Sequence, residues 1–283
     1  VKKSRGVRRG AARRVRIALK HCVLGAVAVF GLIPFFLIAT TSLKLPSESV
    51  MTPPKWLFTP TLSNYRILLS TPEFLHAIMN SLIIAGGATL VSTVTGVLGG
   101  YAFSRFKFRG SAVVSYAILI LRMVPPITFV IPYFLLWRTL RMSDTYVAMI
   151  LMYTTLGMPL LVWMMRSFFV DVPIEMEEAA MVDGCSRWQA LRLIIVPAVS
   201  PGIFAASTLA FIAVWNEFMF ALYNTGRVTR TLPVEIYNSL GYYQLDWAKL
   251  STSAVIAIIP AILFIAFTQK NIVRGLTMGA VKG

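Results

Sequence analysis

The chain has 283 residues, 57% of them hydrophobic and only 13% charged, about half the charged share of an average soluble domain. That balance excludes an ordinary water-soluble domain, and two cysteines, Cys22 and Cys185, are too few for a disulfide framework and read as free thiols. The net charge of +16 invites a nucleic-acid reading, which the position of the basic residues argues against.

Residues 1–18 are a basic arm (Lys2, Lys3, Arg5, Arg8, Arg9, Arg13, Arg14, Arg16) expected to be disordered. Six segments are then long and apolar enough to cross a bilayer as helices, which takes roughly 20 residues. They run Leu19–Thr41, Ile78–Phe103, Ser111–Trp137, Thr145–Met165, Pro201–Tyr223 and Ala248–Phe267. The first is too long, and lacks the small-residue cleavage pattern, for a removed signal peptide. Residues 19–77 comprise the first span and a loop whose Pro46, Pro53, Pro54 and Pro60 forbid a long helix. Pro72 to Asn80 is expected to be a short interfacial helix feeding the second span. Residues 78–270 hold five spans with a charged loop at 166–200, and 271–283 form a glycine-containing tail.

Charge orients this layout. Nine Lys/Arg lie in residues 1–20 and three each in 104–110, 166–200 and 270–283. That makes eighteen on one side against eight on the other, with Arg122 inside a span. Both termini and the 166–200 loop are therefore expected inside. The basic arm beside a membrane span is read as touching anionic lipid, not nucleic acid.

Enzyme signatures are missing. The chain contains no G-x-x-x-x-G-K-[ST] phosphate loop, no G-x-S-x-G and no H-E-x-x-H. His21 and His76 stand alone, without partners at metal-ligand spacing.

The inside loop carries the most specific pattern: Glu178-Ala179-Ala180-Met181-Val182-Asp183-Gly184, then after nine residues Ile194-Ile195-Val196-Pro197. Small residues, a glycine and a proline at this spacing describe two short helices joined at a bend. Ala179 and Ala180 would let the first helix approach another backbone closely, and Gly184 suits a turn with positive φ. Asp171, Glu175, Glu177 and Glu178 favour the positive end of that helix. Five acids, counting Asp183, would be repelled by an anionic leaflet, which favours a protein partner over lipid.

Ionisable groups within spans are the other informative sites. Arg122 in the third span and Glu217 beside Asn216 in the fifth each cost at least ~2.5–3.5 kcal/mol to insert unpaired. Arg122 cannot discharge. It is expected to find backbone carbonyls freed by Pro125 and Pro126, a carboxylate or water. Two roles stay open for Arg122, Asn216, Glu217 and Asn80: lining a polar path, or holding helices or subunits together.

The pattern of the inside loop resembles the EAA loop of ABC-importer membrane subunits, with Val196 where the family usually has leucine. Asn64-Tyr65, Asn80-Ser81, the stretch Tyr101–Gly110, Arg122-Met123-Val124-Pro125-Pro126, Trp215-Asn216-Glu217-Phe218 and the tail Gly275–Gly283 resemble the carbohydrate group of these permeases, specifically the second maltose-transporter membrane subunit. The likeness runs over roughly residues 25–283. It implies an all-α membrane protein of the type I ABC-importer permease class, with six transmembrane helices and both termini inside, in a bacterial-type inner membrane. It implies a heterodimer with a second permease subunit, two cytoplasmic ATPase subunits that hold ATP and Mg, an extracytoplasmic solute-binding protein and a saccharide substrate. Glu178, Ala179, Ala180, Asp183, Gly184, Ile194 and Pro197 would then couple to the ATPases, and the tail would reach towards them. The saccharide is left open between a neutral oligosaccharide, an acidic saccharide and a glycerophosphodiester. An ion-coupled secondary transporter is the alternative, but its acids would lie near the midplane, whereas here they gather in one inside loop.

Overall fold

Apolar runs of this length fold as helices because lipid offers no partner for a backbone N–H or C=O. The computed structural model describes residues 2–106, 108–240 and 246–278, with side chains described for 17–106, 108–240 and 246–269. Every regular element among the described residues is helical. Two compact units divide the chain: Val1–Leu68 with Tyr242–Val255, and Leu69–Gly241 with Ile256–Gly283.

The first unit is built on α1 (Lys2–Ser42), followed by the short α2 (Pro46–Ser49) and α3 (Ser63–Leu69). Helix α1 starts at Lys2 where a disordered arm was expected. Arg, Lys and Ala propagate a helix readily, and the adjoining apolar segment has already nucleated it. The most apolar stretch of α1 buries nothing against the chain. Its end is tied down instead: Asn64 Nδ2 donates to the carbonyls of Ser42 (3.0 Å) and Lys44 (2.8 Å), and Thr252 Oγ1 donates to Ser42 O (3.2 Å).

The second unit is organised by α4 (Pro72–Arg105) and α7 (Tyr146–Asp171). The interfacial helix expected before the second span is continuous with it in α4. A Cβ placed on Gly96 would lie 2.5 Å from Leu161 Cβ, and one on Gly100 2.6 Å from Met165 Cβ. The two backbones therefore meet along a seam that only glycine fits, and Ile84, Ala88, Met152 and Leu161 fill the buried interior beside it.

The third apolar segment is not one helix, as the sequence suggested. It is α5 (Ser111–Met123) and α6 (Ile127–Thr139), inclined at 101°. Pro125 and Pro126 remove two successive amides, and Val124 before them is extended (φ −72°, ψ 127°), as a residue preceding proline prefers. The fifth is also divided. After α7 come α8 (Ile174–Val182), α9 (Arg187–Ala190), a π turn at Leu191–Ile195, the single turn α10 (Val196–Ala198) and α11 (Ser200–Trp215). Arg187–Ala198 and Ser200–Trp215 meet at 76°. Helix α11 stops at Asn216, and α12 (Met219–Asn224) and α13 (Leu232–Asn238) follow. Finally α14 (Trp247–Met278) stacks Phe264 on Phe211 of α11, with ring centroids 4.2 Å apart.

Among the described residues, four helices are long and apolar enough to cross a membrane, or six if each bent pair is one span. The glycine-containing tail expected from residue 271 continues α14 as helix to Met278. One interior glycine costs only about 1 kcal/mol against alanine, too little for Gly275 to end a helix that the span has nucleated. Gly279–Gly283, including Lys282, and Lys107 lie outside the described residues.

Candidate functional site

The charged loop at 166–200 folds as a helical hairpin whose bend is closed by its own backbone. Gly184 has φ +90°, its amide donates to Met181 O (3.1 Å), and the Cys185 amide donates to Ala180 O (3.0 Å). This pairing is a Schellman motif and bears out the positive φ expected of Gly184. The second helix starts with a capping box: Ser186 Oγ accepts from Gln189 N (3.3 Å) and Ser186 N donates to Gln189 Oε1 (2.7 Å). Pro197 has no amide to continue the α pattern, and the π turn ahead of it bonds Val196 N to Leu191 O.

The two alanines face opposite ways. Ala180 is 4% exposed, whereas Ala179 is exposed. On a helix with one packed face, successive positions point different ways, so Ala180 lies against the chain itself while Ala179 is open at the surface. Glu178, Asp183 and Pro197 are exposed, and Ile194 is half-buried against the cluster of Tyr101, Met165, Phe169, Leu191, Ile195 and Val199. The outward face carries Ile174, Val182 and Trp188, with Val182 87% exposed.

Glu177 departs most from expectation. It was grouped with acids that favour a helix end, yet it is 3% exposed. The Tyr101 hydroxyl donates to Oε1, and Arg105 Nε donates to Oε2 at 3.1 Å. Arg105 Nη2 also donates to Val172 O (2.9 Å), at the turn entering α8. Arg187 lies over the Phe106 ring at 5.1 Å, and Phe106 sits edge-on to Tyr101. In the sequence, Tyr101 and Arg105 were noted only within the stretch Tyr101–Gly110; their spacing of four residues puts them on one face at the C-terminal end of α4.

The intramembrane polar residues fall into separate places. Arg122 is exposed at the end of α5 and, among the described residues, makes no hydrogen bond or ion pair. The carbonyls that Pro125 and Pro126 leave without a donor, those of Leu121 and Arg122 in α5 itself, do not receive it; Leu121 O accepts from the Val124 amide (3.4 Å). Arg122 instead lines a cavity of about 220 Å³ with Phe129, Tyr133, Pro159 and Phe220. Tyr133 donates to Thr155 Oγ1 (3.1 Å) and meets Phe220 edge-on at 5.6 Å. Glu217 caps α12: Oε1 accepts from Phe220 N (2.8 Å) and Oε2 from Ala221 N (3.3 Å). A carboxylate suits the positive end of that helix. Asn216 bonds back to Ile212 O (2.8 Å).

Asn80 is 3% exposed and occupied within the chain. Its Nδ2 donates to Val228 O and Arg230 O, each at 2.9 Å, and its Oδ1 accepts from the Tyr146 hydroxyl (2.6 Å). Ser81 Oγ accepts from Leu232 N (2.7 Å). The same loop wraps the Asp144 carboxylate, which accepts from the amides of Gly226 (2.8 Å), Val228 (3.0 Å) and Thr229 (2.9 Å) and from Thr229 Oγ1 (2.6 Å). Burial pushes the Asp144 carboxyl up, but these four donors outweigh it and hold it below the ordinary aspartate value. Beside this loop a polar cavity of about 480 Å³ is lined by Glu73, His76, Asn80, Arg227, Arg230 and Glu235. Asp144 was not singled out from the sequence.

Comparison with known proteins gives a consistent pattern. A family profile described as a binding-protein-dependent transport system inner membrane component matches residues 92–278. The sulfoquinovosyl glycerol transport system permease protein SmoH of Agrobacterium fabrum is 35% identical over 267 residues, covering 94% of each chain. The trehalose/maltose transport system permease protein MalG of Thermococcus litoralis is 36% identical, covering 92% of this chain and 96% of its own. Among solved structures, a bacterial ABC transporter involved in import of the acidic polysaccharide alginate superposes with a TM-score of 0.76 at 21% identity, over 91% of this chain and 96% of the other.

Proposed function

This chain belongs to the inner membrane components of binding-protein-dependent transport systems, and from that premise we propose the part each of its sites plays. It is a multi-pass membrane protein of an ABC importer, a transport component and not an enzyme. In the proposed assembly it forms half of the translocation pathway for a saccharide, beside a second permease subunit. Two ATPase subunits, which bind ATP and Mg, take the inside hairpin, and a solute-binding protein delivers substrate from the opposite side. A saccharide substrate is supported by relatives named for sulfoquinovosyl glycerol and for trehalose and maltose.

One observation carries the docking reading: a hairpin closed by a Schellman turn and a capping box displays Ile174, Val182 and Trp188 outward. Burying such a side chain is worth about 1.5–3 kcal/mol, so a rigid apolar display at an aqueous surface marks a covered face. Glu178, Asp183 and Ala179 border it. Replacing Ala179 with Trp should leave the subunit inserted while the ATPase subunits no longer co-purify and uptake stops. Retention of both ATPase subunits with normal uptake would defeat the docking model.

A further inference from the structure

The hairpin continues in sequence from α7, yet its polar fastening is to α4. Glu177 of α8 is held by Tyr101 and Arg105, Arg105 also holds Val172 at the mouth of the hairpin, and Arg187 of α9 covers Phe106. Both arms of the hairpin are thus attached to one short stretch, residues 101–106. The side chains of Arg105 and Glu177 are 7% and 4% exposed, so water and salt do little to screen the pair. Apolar neighbours such as Leu191 and Ile195 resist separation but permit sliding. A buried ion pair with a fixed donor direction permits neither.

Helix α4 is suited to carry a displacement onward. Its 34 residues span about 51 Å, and along the Gly96–Gly100 seam it lies directly against α7. At its other end Asn80 and Ser81 hold the loop from Val228 to Leu232. We propose that Glu177, Arg105 and Tyr101 form the joint through which movement of the docked hairpin enters the membrane helices, with α4 conveying it to the far loop. The three are positioning residues, and the inference rests on the hairpin being the ATPase dock.

The test uses the complete importer in proteoliposomes with its solute-binding protein. It measures ATP hydrolysed per sugar delivered, retention of the ATPase subunits, and the melting temperature of the complex. Glu177→Gln keeps an acceptor for Tyr101 and removes the charge, while Tyr101→Phe removes only the hydroxyl. Both should keep the ATPase subunits, and the ATP-to-sugar ratio should rise about fivefold or more. Arg105→Met should behave likewise, and Arg105→Lys, which preserves the ion pair, should bring the ratio back towards wild type. A purely structural trio would lower the melting temperature at an unchanged ratio, and that result in all three variants overturns the joint. Loss of the ATPase subunits from all three overturns it too, because the trio would then only shape the dock. Ala179→Trp keeps the two readings apart: if it transports normally the dock is wrong, whatever the trio does.

Discussion

The hairpin of α8 and α9 and the loop around Asp144 are both connecting segments fastened to α4, but by different chemistry. The hairpin relies on one buried ion pair and a hydroxyl, concentrated on Glu177. The loop relies on backbone groups shared among Asp144, Asn80 and Ser81, so that no single side chain makes all the bonds. A concentrated joint transmits force in one direction and fails at a single residue. A distributed one holds a shape and gives way piecemeal.

The largest effect should follow from breaking the concentrated joint outright. Glu177→Met leaves Arg105 buried without a counter-charge, and loss of about 3–5 kcal/mol is expected, read as a lower melting temperature of the solubilised complex. The distributed fastening should lose less. Asp144→Asn removes charge-assisted hydrogen bonds worth about 1.5–3 kcal/mol and turns amide donors towards one another. Faster hydrogen exchange at Gly226, Val228 and Thr229, with little change in global melting, is the expected signature.

A third substitution asks whether the hairpin's bend is itself strained. Gly184→Val places a β-branched residue at φ +90°, costing about 1–2 kcal/mol. It should reduce uptake while Ala180, on the packed face, stays protected from modification when replaced by Cys. The smallest effect concerns pH. The Asp144 carboxyl is held below its ordinary value, so its contribution is complete above the unfolded value of about 3.9 and fades as pH falls below that, through the folded value. Proteolysis of the loop should therefore be constant from neutral to mildly acidic solution and rise only in strong acid. A rise near pH 6 would point to another group.

Much of the architecture was legible locally. Apolar runs, the loop prolines and the Gly184 bend each act over a few residues, and each appears where expected. Pro125 and Pro126 were visible too, but were placed within one span, Ser111–Trp137, whereas the two adjacent missing amides make a 101° break. Asn216 and Glu217 were read as polar residues within a continuous span, whereas they end one helix and cap the next. For Arg122 the expectation was freed carbonyls, a carboxylate or water; among the described residues it bonds neither of the first two and faces a cavity.

The sequence by itself determined the membrane class, the helical content, the apolar segments and the hairpin with its left-handed glycine, because hydropathy and turn chemistry are properties of neighbouring residues. Only the tertiary structure decided that Ala180 turns inward while Ala179 does not, that Glu177 meets Arg105 across 72 residues, and that Asn80 reaches Val228 across 148. A buried polar group must find a partner, but nothing in the local sequence says which of many candidates the packed helices will bring within 3 Å or so of it.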